Sequence, residues 1–133
     1  MATAVSPPSV HVIIPSGPGE PKRLMLGLAM AAAAAAAGTV VRVFLIMDGV
    51  MCLTPEFCST ELLRGYPPPA DLLAAIHEAG GSVEYCPNCL PSGCDAALAR
   101  ATAPAGNACR CAGVPAGLAS YGVRLADIPT VVF

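Results

Sequence analysis

Val40-Val41-Arg42-Val43-Phe44-Leu45-Ile46-Met47 decides the fold class of this chain. The run is apolar almost throughout, with a single charge, Arg42, near its start. A strand with one solvated face alternates apolar and polar residues. A continuous apolar run suits a strand covered on both faces of a parallel sheet. Val40 to Met47 is therefore read as a buried strand, which Asp48-Gly49 ends with turn chemistry.

Working outward, Val10-His11-Val12-Ile13-Ile14 is a second β-branched run, stopped by Pro15-Ser16-Gly17-Pro18-Gly19. Pro21 suits the first position of a helix, where its missing N–H costs nothing. That helix runs through Leu24, Leu28 and an alanine tract to Gly38, a left-handed cap. Being apolar all round, it is expected to be covered on most sides. On the other side of the central strand, a long connection from Val50 to Pro68 holds Cys52, Glu56 and Cys58. An amphipathic helix over Asp71 to Ala79 turns Leu72, Leu73 and Ile76 inward and stops at Gly80-Gly81. Ser82-Val83-Glu84-Tyr85 reads as the third strand and leads directly into Cys86-Pro87-Asn88-Cys89.

Beyond Cys89 the reading is a short helix over Asp95 to Ala101 and a loop over Thr102 to Gly117 carrying Cys109-Arg110-Cys111. A helical turn over Leu118 to Tyr121 and a last strand over Val131 to Phe133 follow. The order β-α-β-α-β with short connections predicts a three-layer α/β domain with a mostly parallel sheet. Residues 1–9 are a flexible lead, and residues 10–133 form one domain.

The chain has 133 residues, 55% hydrophobic and 12% charged, with a net charge of -2. So little charge predicts an oligomer or an alanine-rich core, because a large exposed apolar patch needs a partner. The charge balance gives no basic footprint for nucleic acid. Leu24 to Val41 is uncharged, but its helical part, Leu24 to Ala37, reaches only roughly 21 Å, short of a ~30 Å hydrocarbon core. Lys22-Arg23 follows a Pro-rich stretch with Glu20, which does not fit a secretory signal. The expectation is a cytoplasmic protein with no membrane association. Gly17-Pro18-Gly19 lacks the third glycine of a dinucleotide fingerprint, and Pro18 and Pro21 remove donors, so no nucleotide cofactor is expected.

Seven cysteines is an odd number in a chain with ample apolar content for a core. This favours thiol chemistry or metal binding in a reducing compartment over a disulfide framework. Cys86 falls at the carboxyl end of a strand, the edge where open α/β sheets bind ligands. A C-x-x-C pair there is a redox site, a sulfur-handling site or half of a zinc site. With Cys109 and Cys111, Cys86 and Cys89 would supply four thiolates for a structural zinc. Cys52, Cys58 and Cys94 are secondary thiols or incidental. His11 is read as structural and His77 as solvent-facing, while Asp48 ends its strand at the same edge as Cys86.

Taken together, the first strand with Ser16-Gly17-Pro18-Gly19-Glu20-Pro21-Lys22-Arg23, the apolar helix closed by Gly38, Val43-Phe44-Leu45-Ile46-Met47-Asp48-Gly49-Val50, and Gly80-Gly81-Ser82-Val83-Glu84-Tyr85-Cys86-Pro87-Asn88-Cys89 resemble the DsrE/DsrF-like family of small sulfur-relay proteins. The resemblance spans Val10 to Gly93. It implies a Rossmann-like or flavodoxin-like fold, homo-trimers or homo-hexamers, and a cysteine after the third strand that carries a persulfide between donor and acceptor proteins. Cys86 matches that cysteine, and Cys89 matches a second one that some members have. Leu90-Pro91-Ser92-Gly93 is shorter than the usual continuation and has proline in it.

On this reading Cys86 is the nucleophile of a sulfurtransferase-type carrier and is expected to be exposed, with its thiolate favoured by a helix N-terminus. Cys89 would resolve it as a disulfide. An assembly module, zinc-stabilised through Cys86, Cys89, Cys109 and Cys111, is the alternative. A thiol-disulfide reductase cycling Cys86 and Cys89 is the third.

Overall fold

The computed structural model describes residues 7–89, 114–118, 122 and 128–133. Five strands, β1 (Ser9–Ile14), β2 (Val40–Leu45), β3 (Ser82–Tyr85), β4 (Val114–Pro115) and β5 (Thr130–Val132), form one sheet in the order β4-β3-β2-β1-β5. Every pairing is parallel. Helix α1 (Pro21–Ala36) joins β1 to β2, and α2 (Pro69–Glu78) joins β2 to β3. The expected α/β architecture with a parallel sheet is what the chain adopts.

Strand alternation sorts the side chains into two faces. Val12, Ile14, Val41, Val43, Leu45, Val83 and Tyr85 meet Leu24, Met25, Leu28, Ala31 and Ala35 of α1 and Leu73 and Ile76 of α2 in the main core. Each of the larger aliphatic side chains contributes about 1.5–3 kcal/mol on burial. The other face carries Ile13, Phe44 and, one residue past β3, Cys86. His11 is buried on this face too, paired in register with Arg42. His77 is exposed, also as expected.

Several boundaries moved. Pro21 does open α1, and Gly38 at φ +97° takes the left-handed position just after its end, a conformation costly for any residue with a Cβ. α2 begins two residues earlier than expected, with Pro69 in its first turn. β2 ends at Leu45 rather than Met47, because Met47 turns to φ +50° and starts a 3-10 segment over Met47–Leu53. That segment occupies the beginning of what reads in sequence as a long loop. Val114–Pro115, also expected within a loop, is a short edge strand instead. β5 begins at Thr130, one residue before the expected strand. The helix predicted over 95–101 lies outside the described residues, as does most of the turn over 118–121.

The outer face of α1 is open in the single chain. Leu26 and Met30, one helical turn apart, are both exposed, contrary to the expectation of a helix covered on most sides. Among the described residues, no helix is long and apolar enough to cross a membrane.

Candidate functional site

The carboxyl ends of β1, β2 and β3 converge on one edge, and tight glycines hold them there. A Cβ on Gly49 would collide with the Ile14 carbonyl, and one on Gly17 with the Asp48 backbone. The loop after β1 therefore lies directly on the turn after β2. Ser16 fixes this corner, its hydroxyl donating to the Phe133 carbonyl at 2.9 Å. Ile46 N–H bonds back to the Ile14 carbonyl at 3.3 Å, and Gly49 N–H to the Ile46 carbonyl at 2.9 Å. Between those two anchors, Met47 is forced into left-handed backbone. It is the one non-glycine residue with positive φ among the described residues, and such strain gathers at functional sites.

Cys86 sits beside this turn. Its N–H donates to the Leu45 carbonyl at 3.0 Å, so the β2–β3 ladder runs one residue past the strand. The side chain follows the pleat onto the second face and packs with Phe44, flanked by Ile13, Ile46 and Ala116. Pro87–Cys89 then forms a single 3-10 turn, closed by Cys89 N–H on the Cys86 carbonyl at 3.1 Å. This turn brings the second sulfur back over the first, and the two thiols hydrogen-bond. The Met47 N–H donates to the Cys89 sulfur as well. Three consequences of chain geometry thus meet at one atom: the pleat, the 3-10 turn and the strained residue after β2.

The expectation of an exposed Cys86 does not hold. Cys86 is 1% exposed, and Cys89 is the partly exposed member of the pair. Among the described residues the segment after Cys86 is a single 3-10 turn rather than a helix N-terminus, and the backbone donor to Cys89 comes from Met47. The Cys89 thiol is pushed above its ordinary range, first by burial. The Met47 N–H pulls it part of the way back. The hydrogen bond with Cys86, and negative charge there, push it up again.

The remaining cysteines separate cleanly. Cys52 is free but wholly buried in the main core, which pushes its thiol up to about 12. Cys58 is disulfide-bonded, so the reading of it as a thiol is corrected. Cys94, Cys109 and Cys111 lie outside the described residues, and with them the four-cysteine zinc arrangement. Asp48 lies exposed at the same edge, within the 3-10 segment rather than at the end of β2 where it was expected. Met47 was read as the end of the strand and not as a site residue, because nothing in Ile46-Met47 marks a left-handed residue; Asp48-Gly49 signalled only that a turn follows.

The chain is similar over 96% of its length to the crystal structure of the ychN protein from E. coli, covering all of that chain with a TM-score of 0.64 at 19% identity. At that identity the likeness is one of fold. No curated protein sequence matches the chain. The family model described as DsrE/DsrF-like matches residues 9–92, from the first residue of β1 through the cysteine pair. The match contains every element that builds the edge around Cys86 and Cys89 except the Ala116 and Phe133 contacts, and the chain belongs to the DsrE/DsrF-like family.

Proposed function

We propose that this protein carries sulfane sulfur as a cysteine persulfide on Cys86, with Cys89 as its partner thiol, between a donor and an acceptor protein in the cytoplasm. The observation that carries this reading is the hydrogen-bonded pair of free thiols at the carboxyl edge of β3. The family association with sulfur relay supports it. Two thiols in contact suit sulfur handling, since a persulfide on one has an attacking group already beside it. Assembly into homo-trimers or homo-hexamers would cover Leu26 and Met30 on α1.

Intact mass after incubation with a persulfide donor tests the reading. A gain of one sulfur in the wild type, absent when Cys86 and Cys89 are both replaced by serine, is the expected result. An unchanged mass in the reduced wild-type protein, or about one equivalent of zinc per chain after purification without added metal, would overturn it in favour of a zinc-stabilised module.

A further inference from the structure

We propose that the two cysteines act in a fixed order: sulfur enters at Cys89 and is then passed inward to Cys86, with the Met47 N–H holding the Cys89 thiolate in both steps. This deepens the carrier reading and rests on it.

The argument begins with access. A persulfide donor must bring its outer sulfur into line with the attacking thiolate, and Cys86 at 1% exposure offers no approach from solvent. Cys89, partly exposed and three residues on, does. The residues around Cys86 argue for the opposite role. Phe44, Ile13, Ile46 and Ala116 make an apolar floor, which keeps water and soluble thiols from a sulfane sulfur bound there. One thiol is placed to exchange and the other to keep.

The chemistry balances without an oxidant. The Cys89 thiolate attacks the outer sulfur of a donor persulfide, forming the Cys89 Sγ–S bond while the donor leaves as a thiolate. Cys86 gives its proton to the departing donor thiolate and, as a thiolate, attacks that same outer sulfur. A Cys86 Sγ–S bond forms, the Cys89 Sγ–S bond breaks, and Cys89 leaves with the electron pair as a thiolate. One persulfide and one thiolate exist before and after each step, so no net oxidation occurs. Cys89 Sγ carries the negative charge before the first step and regains it in the second, and the Met47 N–H already points there. A donor fixed in place by the backbone costs no reorganisation at the moment of reaction. The left-handed φ of Met47 lets the chain turn back at Gly49 directly after this donor.

The test is a time course with excess glutathione persulfide, read by peptide mapping of the sulfur position. In the wild type, sulfur is expected on Cys89 first and on Cys86 at the end. Cys86→Ser should load and hold sulfur on Cys89. Cys89→Ser and Cys89→Ala should load Cys86 at least tenfold more slowly, with melting temperatures near that of the wild type because the site is partly open. Blocking Cys89 in the wild-type protein with iodoacetamide should have the same effect and needs no variant. Loading of Cys86 at the wild-type rate without a Cys89 thiol would overturn the order while leaving the carrier reading intact. Absence of sulfur on either cysteine of the wild type would overturn both.

Discussion

Cys52 and Cys89 are free thiols on two 3-10 segments that pack against each other, and their surroundings make them opposites. Cys52 faces the main core among apolar side chains. Its own backbone N–H favours the thiolate, but burial wins and pushes the group up to about 12. Cys89 is partly open, and its neighbours are another sulfur and the N–H of a strained residue. Both are cysteines on the same kind of local backbone. The difference lies in what the sheet brings to each sulfur, and so the site depends on three strand ends more than on the C-x-x-C spacing.

The sharpest way to break this comparison is differential alkylation near pH 8. Cys89 should react from the native state, whereas Cys52 must wait for an opening of its core. With a stability of about 5 kcal/mol or more, that wait makes Cys52 slower by about a thousandfold or more. Comparable labelling of the two would show that the core around Cys52 is not closed.

Alkaline unfolding comes next. Cys52 ionises near its ordinary value of 9.0 when unfolded and at about 12 when folded. Between those values the native state holds a proton that the unfolded state has lost, so stability falls as pH rises. The contribution is fully present below pH 9, and its loss amounts to about 4 kcal/mol by pH 12, at about 1.4 kcal/mol per pH unit. Urea unfolding of the wild type and Cys52→Ala measures it. The variant should lose stability less steeply over this window, and parallel slopes would contradict the burial of the thiol.

Gly49→Ala probes the framework rather than a sulfur. The new Cβ would meet the Ile14 carbonyl, so the turn bearing Met47 has to shift. A loss of roughly 2–3 kcal/mol is expected from urea unfolding, in the upper part of the usual range for single substitutions. Alkylation of Cys89 should change as well, because its N–H donor moves. An unaltered Cys89 rate in a destabilised variant would separate the turn from the site.

Much of this was legible in the sequence. The apolar run of β2, the β-branched run of β1, Pro21 and Gly38 around α1, and Leu73 and Ile76 of α2 all report a period or a stop signal that local chemistry sets. Cys86 at the end of β3 followed from the same reading. Its burial did not, because Ser82-Val83-Glu84-Tyr85 is too short to reveal that the second face is covered where Phe44 lies. The left-handed Met47 was hidden for a related reason. Ile46 and Met47 prolong the apolar run and look like strand, while the constraint that turns the chain is Gly49 against Ile14, two segments far apart in sequence. Val114–Pro115 is too short for any periodicity, although an edge strand does accommodate its proline.

The smallest effect isolates Met47 itself. A side chain in left-handed backbone costs about 1–2 kcal/mol, which glycine avoids while keeping the N–H. Part of that gain is offset by the greater freedom of glycine in the unfolded chain, so Met47→Gly should raise stability by about 0.5–1 kcal/mol. Met47 is 63% exposed, so little packing is lost with its side chain. Because the Cys89 thiol lies above its ordinary 9.0, its alkylation should climb about tenfold per pH unit up to that value in the wild type. Met47→Gly should give the same profile, since the hydrogen bond to sulfur comes from the backbone. Met47→Pro removes the N–H but cannot reach positive φ, so its effect on the thiol would be mixed with a broken turn. A profile shifted to higher pH in Met47→Gly, with stability raised, would mean that the side chain and not the strained backbone holds the donor on Cys89.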